Sequence, residues 1–261
     1  MWTTTFEYST SATPITLQVF GKGDAKRKQP VLIYFHGGLF NCGSIETAYD
    51  IAHALSEHMV VVCVAYPLAP AMQFPDTIEV AYAALAWVSA HAKTIGADAK
   101  RIFVAGEQAG GNLAAVVAML FRDRGLTCGN QCSLQGQILI NPMLDALQTS
   151  KSLAAVADSP CRRAWADYTQ VASNALHPYV SPVNSCRLAG LVPAMIINSD
   201  TNPLRDEAET YATKLVLAGV PVQVQRLEDN AFNLSNSQHP AFHTLCQLIR
   251  QFIGPKLLTQ W

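Results

Sequence analysis

The stretch Val104-Ala-Gly-Glu-Gln-Ala-Gly-Gly-Asn-Leu113 runs from an apolar strand end through glycines into an apolar helix. A strand followed by Gly-x-x-x-Gly and a helix turns sharply and lifts its central side chain above a sheet, a setting in which a serine hydroxyl becomes a nucleophile. Gln108 holds that central place. A carboxamide has no hydroxyl to deprotonate and does not titrate near pH 7, so it can hold a ligand by hydrogen bonds but cannot attack it. The other groups with chemical potential are sparse. Cys128 and Cys132 have the spacing of half a zinc site, but no second Cys or His pair lies nearby, and they read as loop cysteines. His239 and His243, four apart in "HPAFH", fall on one face at the start of a helix. Without a third ligand they read as a cap and a surface histidine, so no metal is expected.

Composition narrows the partners. In 261 residues, 50% are hydrophobic and 14% charged, with a formal net charge of −1, enough apolar material for one large core. No run of Lys or Arg and no aromatic-basic interleaving is present, which argues against nucleic acid and anionic membrane surfaces. The N-terminus lacks the basic start and apolar core of a signal peptide, and no apolar stretch is long enough to span a bilayer. The 7 cysteines, odd in number and scattered, read as mostly reduced in a cytoplasmic protein.

The elements that would position Gln108 alternate along the chain. Strands are expected at 15–20, 31–35, 60–66, 101–106, 134–142, 193–199 and 220–227, with helices at 77–96, 112–125, 205–219 and 240–254. This alternation predicts an α/β fold with a mostly parallel central sheet flanked by helices. Residues 145–192 break into short polar and aromatic pieces between two core strands, and are expected to form a lid or cap insertion within a single domain, 1–261.

Five stretches in order, "YFHGGLF" (34–40), "YPLAPAMQFPDTIEVAYAALAWV" (66–88), "VAGEQAGGNLAA" (104–115), "HPYVSPVNS" (177–185) and "NPLRDEAETYATKL" (202–215), resemble the hormone-sensitive-lipase-like (carboxylesterase) branch of the α/β-hydrolases. The resemblance implies an α/β-hydrolase fold with an oxyanion hole formed by backbone N–H groups, here those of Gly37, Gly38 and Ala109. Leu39 stands where a third glycine is common in the family. The family's acid lies in an Asp-Pro-Leu-Arg-Asp-Glu type of motif, and this chain has Asn202 in the acid's place. The family's histidine lies in a His-Gly-Phe type of motif, whose nearest counterpart is Asn230-Ala-Phe232, in a loop about two residues short. Serine, acid and base would then have become Gln108, Asn202 and Asn230, none of which performs the proton transfers of a Ser-His-Asp triad.

Several nearby groups are weighed as replacements. Glu107 is the carboxylate nearest the elbow, Asp229 adjoins Asn230, Asp200 lies two before Asn202, and His239 follows the short loop; each has an ordinary structural role available, as Asp206 does at a helix start. His36 is expected to brace the Gly-Gly loop, and Cys42 has no evident base beside it. Leu39, Phe40, Trp165 and Tyr168 are candidate walls of the pocket, although ordinary lid packing serves Trp165 and Tyr168 equally well.

These observations support two readings. In the first, the chain binds a small uncharged molecule in a former esterase pocket and orients it for cyclisation, isomerisation, addition or elimination, with backbone help at a developing oxyanion. In the second, it is a pseudo-esterase receptor, sensor or scaffold that closes a lid over a ligand. A residual carboxylesterase with displaced catalytic residues ranks below both. No cofactor is implied; the partner expected is a small-molecule ligand or substrate, with no nucleic acid and no membrane, and a homodimer is left open.

Overall fold

The computed structural model describes residues 1–21, 28–126, 132–156, 158–228 and 236–254. Eight strands form one sheet: β1 (Trp2–Phe6), β2 (Ile15–Phe20), β3 (Gln29–Phe35), β4 (Val60–Val64), β5 (Ala97–Glu107), β6 (Leu134–Ile140), β7 (Ala194–Ser199) and β8 (Val222–Leu227). Their order is β1-β2-β4-β3-β5-β6-β7-β8. The pairs β1/β2 and β2/β4 are antiparallel, and every pair from β4/β3 to β7/β8 is parallel. This is the α/β-hydrolase fold.

Helices α1 (Tyr49–Leu55), α2 (Asp76–His91), α3 (Ala109–Arg124), α4 (Lys151–Ala154), α5 (Pro160–Thr169), α6 (Arg205–Leu217) and α7 (Phe242–Ile253) cover both faces. Successive strand residues point to opposite sides, so Val31, Ile33 and Phe35 of β3 join one core with α2, α3 and α6, while Leu32 and Tyr34 join the other with α1 and α7. Central strands buried on both faces must be apolar throughout, and "VVVCV" of β4 is buried at every position. Strand β1 and helix α1 were not expected. The first is threonine-rich and largely exposed, and the second is a two-turn helix with three buried residues, so neither carries a long periodic signal.

Between β6 and β7, α4, α5 and two 3₁₀ turns, Ala172–Leu176 and Pro182–Asn184, occupy the segment expected to be an insertion. No helix among the described residues is long and apolar enough to cross a membrane. Cys42, Cys63, Cys161, Cys186 and Cys246 are free thiols. Cys132, by contrast, is disulfide-bonded, which corrects its reading as a reduced loop cysteine. Pairing depends on how closely two backbones approach, which sequence spacing does not reveal. Cys128 lies outside the described residues.

Candidate functional site

Parallel pairing brings the candidate residues to one edge. Phe35 of β3 pairs with Gly106 of β5, and Glu107 with Ile140 of β6, so the loop after β3, the turn after β5 and the turn after β7 all leave the sheet at its carboxyl end. Ligand sites in open α/β sheets lie at this end.

Gln108 forms the elbow itself. Its backbone sits at φ 52 and ψ −114, a sparsely populated region for a side chain with a Cβ. Three bonds hold it there: its N–H donates to Ile140 O at 2.9 Å, and its carbonyl accepts from Asn112 N–H at 3.1 Å and from Met143 N–H at 3.0 Å. The flanking glycines allow the close approach. A Cβ on Gly106 would overlap the Gly110 carbonyl, and one on Gly110 would overlap the carbonyl oxygens of Phe35 and His36. The Gly-x-x-x-Gly pattern is therefore a steric requirement of α3 starting directly against β3.

The Gly37-Gly38 loop faces this turn. Gly38, at φ 120, donates its N–H to Gln108 Oε1 at 2.8 Å. A Cβ built on Gly37 would stand 3.2 Å from the same oxygen. Ala109, the third expected donor, is the first residue of α3 and fully buried. Gln108 is itself only 5% exposed. Leu39 and Phe40 follow with φ of 59 and 71, and the Phe40 carbonyl accepts from Ala69 N–H at 2.9 Å. The Cys42 thiol donates to Gly38 O at 2.8 Å, and partial burial pushes it above the usual thiol range.

The expected bracing role of His36 fits its surroundings. Its Nδ1 meets Gly37 O at 2.7 Å, which makes Nδ1 the protonated nitrogen, and its ring stacks on Tyr66 at 4.2 Å. Tyr66 in turn donates its hydroxyl to His36 O at 2.9 Å. Burial lowers the His36 pKa, so the ring is held neutral. Glu107 is buried behind the loop, with its Cγ 3.5 Å from the Cβ position built on Gly37.

Asn202 lies beyond β7, buried, with its Oδ1 accepting from Leu204 N–H at 2.9 Å. Its carboxamide thus closes the turn into α6, and its Nδ2 has no partner among the described residues. Asp200 pairs loosely with Arg226 at 3.8 Å. Asp206 receives Ser152 N–H at 2.8 Å and pairs with Arg205, which holds its carboxyl below the ordinary range although burial opposes this. Asn230 and Asp229 lie outside the described residues. His239 Nδ1 accepts from Ala241 N–H at 3.1 Å at the entry to α7, and His243 is exposed on it. Among the described residues no group of three or more His, Cys, Asp or Glu is placed to hold a metal ion.

The aromatic residues of α5 reach the loop after β3. Tyr168 stacks on Phe40 at 3.9 Å, Trp165 meets Phe40 at 5.0 Å, and Phe74 packs on the edge of Tyr168. Phe40, Trp165 and Tyr168 are each at most 2% exposed, so they fill space against one another. Cavities of about 510, 420, 550 and 600 Å³ lie elsewhere, and none of these is lined by Gly38, Phe40, Gln108, Trp165 or Asn202.

Two supporting residues escaped the sequence reading. Asn112, fully buried one turn after Gln108, donates to Met143 O at 2.8 Å and Val180 O at 2.9 Å, tying α3 to the segment after β6 and to the 145–192 insertion itself. Glu207, 2% exposed, accepts Leu144 N–H at 2.7 Å, and burial pushes its carboxyl well above the carboxylate range. A polar side chain at the head of the apolar run Leu113–Leu120 was the available signal for Asn112, whereas Glu207 sits among other polar residues at the start of α6 and carried none.

Comparison with known proteins identifies the family to which this fold belongs. The family model described as alpha/beta hydrolase fold matches residues 32–234. The chain belongs to the hormone-sensitive-lipase-like branch of the α/β-hydrolases. It is 34% identical over 223 residues to carboxylesterase NlhH of Mycobacterium tuberculosis, covering 81% of this chain and 68% of that one. It is 29% identical to the gibberellin receptor GID1 of Oryza sativa subsp. japonica, over 96% of this chain and 74% of the receptor. A thermostable esterase from Pseudomonas putida superposes with a TM-score of 0.81 at 33% identity, over 96% of this chain and 80% of the esterase. This α/β-hydrolase therefore has both esterases and a receptor among its relatives.

Proposed function

We propose that this α/β-hydrolase is a non-hydrolytic pseudo-esterase that acts by binding a small molecule. The observation that carries the reading is the hydrogen bond from Gly38 N–H to Gln108 Oε1, 2.8 Å, at the elbow where an esterase carries its nucleophile. The elbow presents a carboxamide, which engages Gly38 N–H, one of the three donors expected to stabilise an acyl oxyanion. Acyl transfer needs a nucleophile, a base and a free donor. Losses within one catalytic unit do not add, so replacing nucleophile and acid together leaves little beyond binding.

Of the two uses of such a site, the engaged Gly38 N–H favours a binding protein over an enzyme that cyclises or isomerises with oxyanion assistance. A receptor relative over 96% of the chain agrees with that preference. Hydrolysis of short-chain p-nitrophenyl esters tests the reading, with wild type beside Gln108→Ser and beside the triple change Gln108→Ser, Asn202→Asp, Asn230→His. Wild type should be inert and the triple variant should gain turnover. Ester hydrolysis by wild type would overturn the reading.

A further inference from the structure

The amino end of the sheet, opposite the elbow, holds a cavity of about 550 Å³. It sits where β3 begins at Gln29, where Met59 leads into β4, and where α7 ends at Ile253. Strand β3 separates it from the elbow by roughly 20 Å, at ~3.3 Å per residue from Gln29 to Phe35, so the two places are distinct. The charge on its wall is one-sided: Lys28, Arg101 and Arg250 line it with a single carboxylate, Glu57, and with His58. Among the described residues none of these three cations forms an ion pair. Arg250 Nη2 donates to Ala54 O at 2.5 Å and Arg101 Nη2 to Ile253 O at 3.4 Å, near the carboxyl ends of α1 and α7. Those bonds offset the negative helix ends that would repel an anion, and they use few of the five N–H groups each guanidinium carries. Arg250 Nε–H is buried with no partner among the described residues, and so is Gln29 Oε1. A buried donor without an acceptor is costly, so an acceptor that enters and lets the guanidinium turn toward it restores a bond the folded chain lacks.

We propose that this cavity is a second ligand site, for a small phosphate monoester whose phosphate is held by Lys28, Arg101 and Arg250 and whose organic part lies on Met59 and Ile253. The inference goes beyond the reading of the elbow and does not depend on it.

The ligand class follows from charge and size. Two guanidinium forks and an ammonium present donors from several directions, which a tetrahedral dianion meets with separate oxygens and a planar monoanionic carboxylate does not. The Gln29 carboxamide, on turning over, adds N–H donors to the same wall. A bare phosphate ion would leave most of the volume unfilled, since cavities of this size hold whole small molecules. Met59 and Ile253, 1% and 3% exposed, give the remainder of the wall an apolar surface for an organic group. Glu57 opposes an incoming anion, and its removal should therefore strengthen binding.

Phenyl phosphate and benzoate share a ring and differ in the anion. Each is titrated at constant ionic strength into ¹⁵N-labelled protein while the Arg250 Nε–H cross-peak, assigned by its loss in Arg250→Lys, is followed. In wild type, phenyl phosphate should move the peak with a Kd of about 1 mM, and benzoate should need about tenfold more. Arg101→Gln should weaken phenyl phosphate about tenfold, and Lys28→Gln, at an exposed position, about threefold. Glu57→Gln removes the opposing charge and should tighten it about twofold to fivefold, a gain that damage to the fold would not produce. Backbone amide peaks report whether each variant is folded, and the wild-type comparison needs no variant. The inference is overturned if phenyl phosphate leaves Arg250 Nε–H unmoved at about ten times that concentration, if benzoate matches it, or if Arg101→Gln and Glu57→Gln leave its affinity unchanged. Ester turnover by wild type bears only on the elbow and leaves this site untouched.

Discussion

Replacing Gln108 by glycine and by alanine separates the elbow's strain from its hydrogen bond. Both changes remove the carboxamide from Gly38, and both vacate a similar volume at a position only 5% exposed, so those losses cancel in the comparison. What differs is the backbone at φ 52 and ψ −114. Holding a residue with a Cβ there costs about 1–3 kcal/mol, which glycine avoids. Glycine has a more disordered unfolded state, which returns about 0.4–1 kcal/mol of that advantage. The glycine variant should therefore be the more stable of the two by about 0.5–2 kcal/mol, the reverse of the usual order inside regular structure. Urea denaturation measures this as a difference in midpoint at constant slope, and thermal melting should show a gap of about 2–4 °C per kcal/mol for a chain near this size. An alanine variant as stable as the glycine variant would refute strain at the elbow, and with it the view that this chain retains a costly catalytic geometry without its nucleophile.

Two further outcomes follow from buried contacts. Gly110→Ala would drive a methyl into the carbonyl oxygens of Phe35 and His36, and should cost at least about 3 kcal/mol or prevent folding; denaturation at the wild-type midpoint would contradict the packing of α3 on β3. Glu207 should make stability depend on pH. Unfolded, its carboxyl titrates near 4.5; folded, burial holds its proton to much higher pH, so the native state binds more protons between the two. The stability linked to that proton is present below the unfolded value and lost as pH rises through the folded one. Glu207→Gln still offers an acceptor to Leu144 N–H and has no proton to lose, so its denaturation midpoint should exceed that of wild type at about pH 8 and converge with it near pH 4. A constant difference across that range would exclude the buried carboxyl as its cause.

The sequence by itself determined the layered α/β architecture, because apolar strand runs and amphipathic helices announce which surfaces must be buried. It also showed that a carboxamide, Gln108, sits at the centre of the Gly-x-x-x-Gly turn, since residue identity alone reveals that. Short elements such as β1 and α1 were not legible, because their formation depends on neighbours more than on local pattern. Nor was the bonding of Cys132, which depends on an approach in space. The supporting roles of Asn112 and Glu207 likewise required knowing which backbone groups come to lie beside them.

Only the tertiary structure decided where the amides point. Sequence reading placed Gln108 and the Gly37-Gly38 loop in one site but could not tell whether the carboxamide would face a ligand or the loop. Parallel pairing of β3 with β5, in the register Phe35 to Gly106, sets the two turns side by side, and the Gln108 oxygen then satisfies Gly38. The physical reason is that a buried N–H is costly when unpaired and the nearest acceptor within reach takes it.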